Sequence, residues 1–202
     1  MQIHCLPNPG FGSNTYIIEL ANNKALIIDP GNPDINPVKD WLTQNNRQIE
    51  SVILTHEHSD HCAGVNALYE WSPFELICTE ATAKNIASNR QNFSYYIDKN
   101  NAFEINLPGR IVRDGDSIYW EAQRFDFFET PGHSPGGLCI KAGKAIFTGD
   151  TLLNQTKTPL RFPHSNKNDY HRSKEKLKNI LIPGMTIYPG HGDAFIWNTL
   201  QT

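Results

Sequence analysis

The apolar positions of this chain fall into many short runs separated by Gly, Pro, Asn and Asp, a pattern that predicts a strand-rich fold. Residues 3–6, 15–20 and 25–29 read as a strand meander, ended by the turn signal Pro30-Gly31. After Asp34 the spacing changes. Ile35, Val38, Trp41 and Leu42 recur at intervals of three, three and one, which predicts an amphipathic helix capped by Asp34. Residues 51–54, SVIL, show no polar alternation and are therefore placed in a sheet interior covered on both faces. A helix over 64–71, a strand over 76–78 and a longer helix from a Thr79 cap to about residue 99 follow. Strands are predicted at 111–113, 117–120, 124–129, 138–141, 145–148 and 186–188, with a helix capped by Asp169 reaching residue 180. Residues 153–168, LNQTKTPLRFPHSNKN, carry no periodicity, and long loops of that kind in a compact domain are more often functional than incidental.

Composition narrows the class of protein without naming its chemistry. At 202 residues, 39% hydrophobic and 19% charged, the chain suits one globular domain over residues 1–202. The formal net charge of −3 and the scatter of Lys and Arg give no footprint for nucleic acid or for an acidic membrane surface. No signal peptide or membrane span is legible, so a cytoplasmic location is the expectation. Cys5, Cys62, Cys78 and Cys139 are widely spaced with no CxxC pair, which reads as buried reduced thiols rather than a disulfide framework.

Chemistry enters at residues 55–64, THEHSDHCAG, directly after the run SVIL. His56 and His58 stand two apart, so in an extended chain both imidazoles project to one side and can share a metal. Asp60 and His61 follow where the chain should turn into a helix. The zincin geometry does not apply, because the fourth position after His56 is Asp60 rather than His. Three more segments repeat the arrangement of a strand running into a Gly or Pro turn at a metal-capable side chain: PGHSPG with His133, FTGD with Asp150, and YPGHG with His191. Singly, each would be a turn residue. Together they supply five imidazoles and two carboxylates along one sheet rim. His4, His164 and His171 lie outside this pattern and read as surface or loop residues; Glu57 should point away from its histidine neighbours, and Cys62 reads as a packed thiol.

The set THEHSDHCAG, TPGHSPGG, FTGD and PGHG, with NTYII and IDPG upstream, resembles the metallo-β-lactamase superfamily and most closely its glyoxalase II branch. The resemblance implies an α/β fold, a four-layer αββα sandwich of two mixed β-sheets. It implies two divalent metal ions, zinc foremost and iron or manganese as options: one held by His56, His58 and His133, the other by Asp60, His61 and His191, with Asp150 bridging. The implied reaction is hydrolysis of a thioester, ester or lactone of a small molecule by a metal-bridging hydroxide, with Asp60 also holding the nucleophile.

The chain departs from glyoxalase II in two places. It stops eleven residues after His191, without the helical extension that contributes to glutathione binding, and the 153–168 loop lacks the usual basic element after the bridging Asp. Lys157, Arg161 and Tyr170 are the candidate substrate contacts from that region. Two alternatives stay open at this point: a persulfide dioxygenase with one iron on His56, His133 and Asp150, and a non-catalytic metal-binding sensor or interaction module.

Overall fold

In the computed structural model, which describes residues 1–198, twelve strands form two sheets of six. The first sheet contains β1 (Ile3–Pro7), β2 (Asn14–Glu19), β3 (Lys24–Ile28), β4 (Gln48–Ile53), β5 (Glu75–Cys78) and β6 (Gly109–Ile111), in that order. Its first three strands are an antiparallel meander and β3 to β6 are parallel. Asn22 and Asn23, at φ 53° and 58°, supply the positive backbone angles that a tight β2–β3 turn requires. The second sheet contains β7 (Ser117–Trp120), β8 (Gln123–Glu129), β9 (Leu138–Ala142), β10 (Ala145–Gly149), β11 (Thr186–Pro189) and β12 (Phe195–Ile196). All its neighbours pair antiparallel except β10 with β11.

Period-two alternation sorts the strand side chains into separate layers. Ile18, Leu26, Ile28 and Ile53 face Phe125, Phe127, Ile140 and Phe147 across the gap between the sheets, all of them fully buried. The intervening residues Ile17, Ile27 and Val52 face outward and are covered by α1 (Asn36–Gln44) through Val38 and Leu42 and by α3 (Val65–Trp71) through Val65 and Leu68. On the other outer face, α6 (Lys167–Ile180) places Leu177 over Cys139, Ile146 and Ile187. Helix, sheet, sheet and helix thus make the four layers that the resemblance implies. Each fully buried Leu, Ile or Phe is worth about 1.5–3 kcal/mol, so the three apolar layers, rather than the surface ion pairs, hold the frame.

Several local expectations are corrected. Asp34 is not the cap of α1; Ile35 occupies that position without a side-chain bond, while Asp34, one residue earlier, accepts from Asn36 N through Oδ1 at 3.1 Å. Asn166 rather than Asp169 caps α6, its side chain accepting from Asn168 N and Asp169 N. Thr79 does cap a helix, but that helix, α4 (Glu80–Ile86), stops early, and α5 (Ser94–Ile97) is a separate single turn. The run Ser88-Asn89-Arg90-Gln91-Asn92 explains the break. Buried Asn92 accepts from Ser94 N and donates to Phe103 O, offering the backbone an alternative to helix. Strand β12 has only two residues, too few to register as periodicity.

Cys62, Cys78 and Cys139 are buried and unbridged, and Cys5 is exposed. Burial pushes the Cys139 thiol up to about 11 and the Cys78 thiol up to about 12. A thiol reagent at pH 8 is therefore expected to label one cysteine per native chain and four after unfolding. Labelling of Cys62 on the timescale of Cys5 would contradict this packing.

Candidate metal centre

All seven candidate ligands lie at strand ends. Because β8 and β10 both run antiparallel to β9, and β11 runs parallel to β10, these three strands share a direction and open their C-terminal ends on one rim of the second sheet. His133 follows β8, Asp150 follows β10 and His191 follows β11. From the first sheet, β4 delivers His56 and His58, and the short helix α2 (Ser59–Cys62) turns Asp60 and His61 back toward the same place. The turn at His191 is tied across to the first sheet: Asn14 Nδ2 donates to Pro189 O at 3.0 Å and to Gly192 O at 2.8 Å, and Tyr16 Oη donates to Pro189 O at 2.7 Å.

Two glycines are required by close approach. A Cβ on Gly190 would lie 2.2 Å from Asp150 Oδ1, and one on Gly31 would lie 1.7 Å from the carbonyl oxygen of Asp60. The IDPG and PGHG turns therefore let neighbouring backbone pass against the ligands.

The side chains form two triads, His56 with His58 and His133, and Asp60 with His61 and His191, whose potential donor atoms lie within 4.8 Å of one another in each. Asp150 reaches both. One of its oxygens is 3.4 Å from His133 Nε2 and 3.5 Å from His191 Nε2, and the other is 3.6 Å from His61 Nε2.

Hydrogen bonds on the far side of three of the rings fix which nitrogen faces the centre. Thr55 Oγ1 donates to Asp29 Oδ2 at 2.5 Å, so it accepts from His56 Nδ1 at 3.1 Å and leaves His56 Nε2 bare. His61 Nδ1 donates to Asp29 Oδ2 at 3.0 Å, and His133 Nδ1 donates to Pro159 O at 2.9 Å. The ring nitrogens on the near side converge: His133 Nε2 is 3.0 Å from His58 Nδ1, and His61 Nε2 is 3.4 Å from His191 Nε2. His56 Nε2 and Asp150 Oδ1 are buried with no hydrogen-bond partner. Bare acceptors facing one another in a buried place are costly unless a cation lies among them. The donor set fits divalent metal ions.

Electrostatics distinguish the two triads. Burial, reinforced by neighbouring imidazoles, holds His56 and His58 well below the usual histidine range, so both rings are neutral and ready to ligate. Burial alone would raise Asp60, but the facing His61 and His191 outweigh it and hold the carboxyl well below its usual range. His61 is pushed up to about 10: burial opposes the shift, and Asp60, Asp29 and Asp150 overcome it. A metal must displace that proton to bind there.

Three supporting residues carry signals that the pattern of ligands alone does not reveal. Asp29, at φ 51°, also accepts from Thr55 N at 2.7 Å, so one buried carboxylate orients His61 directly and His56 through Thr55. Its place at a strand end before Pro-Gly is the same arrangement that marks the ligands. Glu57 points away from the histidines and is buried. Its carboxylate accepts from Asn85 Nδ2, Ser134 Oγ and Gly136 N, tethering the turn that carries His133. Cys62 is packed, with its Sγ against Glu57 O at 3.5 Å. The 153–168 loop clamps the centre from the other side, with Thr158 Oγ1 donating to Asp150 O and Ser165 Oγ to His133 O.

Lys157 and Arg161 are exposed, and Tyr170 lies with its backbone against Gly132. None of the three lines the cavity beside the ligands; from that loop Phe162 and Pro163 do. No helix among the described residues is long and apolar enough to cross a membrane.

Comparison with known proteins agrees with this geometry. A hydroxyacylglutathione hydrolase of Citrobacter koseri is 34% identical over 148 residues, covering 72% of this chain and 50% of that protein. The chain spans about half the length of the curated relatives of this name that it matches. Among solved structures, the BLEG-1 B3 metallo-beta-lactamase superposes with a TM-score of 0.89 at 21% identity, covering 96% of this chain and 94% of that one. The protein TTHA1623, solved in a di-iron-bound form, gives a TM-score of 0.84 at 21% identity, with 96% and 94% covered. The profile of the metallo-beta-lactamase superfamily matches residues 8–191, nearly the full length, and the chain belongs to that superfamily.

Proposed function

We propose that this protein is a hydrolase of small-molecule thioesters, esters or lactones that works with two divalent metal ions, zinc foremost. The observation that carries the reading is Asp150, whose carboxylate stands between two histidine-rich triads and touches both. His56, His58 and His133 would hold one ion, Asp60, His61 and His191 the other, and Asp150 would join them. The relatives named hydroxyacylglutathione hydrolase and the di-iron-bound structural neighbour support the same assignment.

Bound divalent ions supply Lewis acidity and lower the pKa of water from 15.7 toward about 7. The chain's own residues do the rest. Neutral His56 and His58 leave the cationic charge of that site undiminished, whereas the carboxylates of Asp60 and Asp150 set where it is partly neutralised. Asp60, ionised and partly open to the cavity, accepts a hydrogen bond from the attacking water and aims its oxygen at the acyl carbon. The water oxygen adds to the acyl carbon as the carbonyl π pair moves to oxygen; return of that pair then breaks the C–S or C–O bond to the leaving group, and the proton lost by water ends on the departing thiol or alcohol.

The test is turnover by metal-replete protein of a panel of thioesters, aryl esters and lactones. Hydrolysis at rates well above buffer, lost on chelation and restored by metal, is the expected result. No hydrolysis across the panel, with oxygen consumed in the presence of glutathione persulfide, would replace this reading with the mononuclear dioxygenase.

A further inference from the structure

Resting on the hydrolase reading, we infer that the site selects an apolar acyl group, medium-chain aliphatic or aryl, on a neutral or cationic leaving group, and disfavours an anionic one such as glutathione. A cavity of about 380 Å³ adjoins the metal centre, and His58 and Asp60 are part of its lining. Apart from Ser59, its other walls are aromatic and aliphatic: Phe11, Phe93, Tyr96, Ile97, Phe162 and Pro163. No Lys or Arg is among the described residues that line it.

The aromatic wall is built into the centre. The Phe93 and Phe162 rings stack on each other at 5.7 Å, and both lie against the His58 ring, at 4.9 and 5.1 Å. Phe162 also meets His133 edge-on at 5.5 Å. Phe93 holds φ at +67°, a left-handed conformation that costs a bulky side chain free energy and persists only where surrounding structure enforces it. Asn92 enforces it, through its buried side-chain bonds and a carbonyl that accepts from Ser59 N at 2.8 Å, next to His58. The strain delivers an aromatic ring to the cavity beside the ligand histidines. Phe11, Tyr96 and Ile97 stay half or more exposed, which leaves apolar surface uncovered where an acyl chain would cover it.

Charge selects the other half of the substrate. A second groove of about 670 Å³ shares Phe11, Ser59, Asp60 and Ile97 with the first and continues past Glu70 and Asp98. Beside Asp60, which a metal ion would neutralise, its described lining has the carboxylates of Glu70 and Asp98 and no basic side chain. A leaving group seated there with two carboxylates of its own would meet like charge, whereas a neutral or cationic one would not.

The experiment measures kcat/KM of the metal-loaded full chain for acetyl, octanoyl and phenylacetyl thioesters of N-acetylcysteamine, cysteamine and glutathione. Each buried methylene is worth about fourfold, so at least tenfold preference for octanoyl or phenylacetyl over acetyl is expected, with glutathione the slowest leaving group by a similar factor. Phe162→Ala, and Phe93→Gly, which suits the left-handed backbone, should bring the octanoyl-to-acetyl ratio toward one. A ratio near one in the wild type, or glutathione thioesters turned over fastest, overturns the inference. If no thioester is hydrolysed, the thioesterase part of the hydrolase reading falls separately, and aryl esters and lactones decide the rest. The cavity is then read by calorimetry with the corresponding ketone analogues of N-acetylcysteamine thioesters. At least tenfold tighter binding of the octanoyl analogue than the acetyl one, lost in Phe162→Ala, supports the apolar site, and equal binding overturns it.

Discussion

Replacing Asp150 by alanine is expected to lower hydrolysis by about 10³-fold or more while leaving the fold intact. Its carboxylate is the one carboxylate among the described ligands within 3.6 Å of nitrogens from both triads, so its loss uncouples the two sites. The frame does not depend on it: the Asp150 side chain lies outside all three apolar layers, and its backbone carbonyl keeps the bond from Thr158. Without metal, Asp150→Ala should be no less stable than the metal-free wild type, because a buried oxygen with no hydrogen-bond partner is removed. With metal, the variant should lose most of the thermal stabilisation that metal gives the wild type. Wild-type turnover in a correctly folded Asp150→Ala protein, checked by circular dichroism and a thioester assay, would overturn the bridging role.

Asp29→Ala should weaken the centre by a different route. Three donors end on this buried carboxylate: Thr55 N, Thr55 Oγ1 and His61 Nδ1. Removing it strands the Thr55 amide and frees both the His61 ring and the Thr55 hydroxyl that receives His56 Nδ1. A buried unsatisfied donor costs about 1–3 kcal/mol, so chemical denaturation should show a loss of about 3 kcal/mol. Partners that orient ligand histidines typically govern metal affinity by about 10- to 100-fold. Metal affinity of Asp29→Ala, titrated with a competing chelator, should fall by that factor, and Asp29→Asn should recover only part of it because an amide oxygen is a weaker acceptor. Unchanged metal affinity in both variants would remove Asp29 from the account.

The candidate ligands were legible because His56, His58, Asp60 and His61 crowd one run after an apolar strand, and His133, Asp150 and His191 each follow an apolar strand running into a Gly or Pro turn, as in Phe147-Thr148-Gly149-Asp150 and Tyr188-Pro189-Gly190-His191. The strands that carry the inter-sheet layer were likewise marked as short apolar runs, but which residues face the second sheet, Ile18, Leu26, Ile28 and Ile53, was not. What escaped depends on partners distant in sequence. Asp29 becomes an anchor only when His61, 32 residues on, is brought beside it, and Glu57 is satisfied by Asn85, Ser134 and Gly136 from two other elements. Polarity likewise drew the reading of the 153–168 loop toward Lys157 and Arg161. In the folded chain the apolar Phe162 and Pro163 of that loop reach the cavity, and Phe93 meets them from a backbone break that a helix prediction over 79–99 passed across.

The central claim is that two metal ions share this rim through Asp150. Metal content per chain, measured by mass spectrometry on protein reconstituted and freed of loosely held ions, tests it most directly. The account predicts two divalent ions in the wild type and a loss of about one in His191→Ala. A single iron per chain, retained undiminished in His61→Ala and His191→Ala, would contradict it.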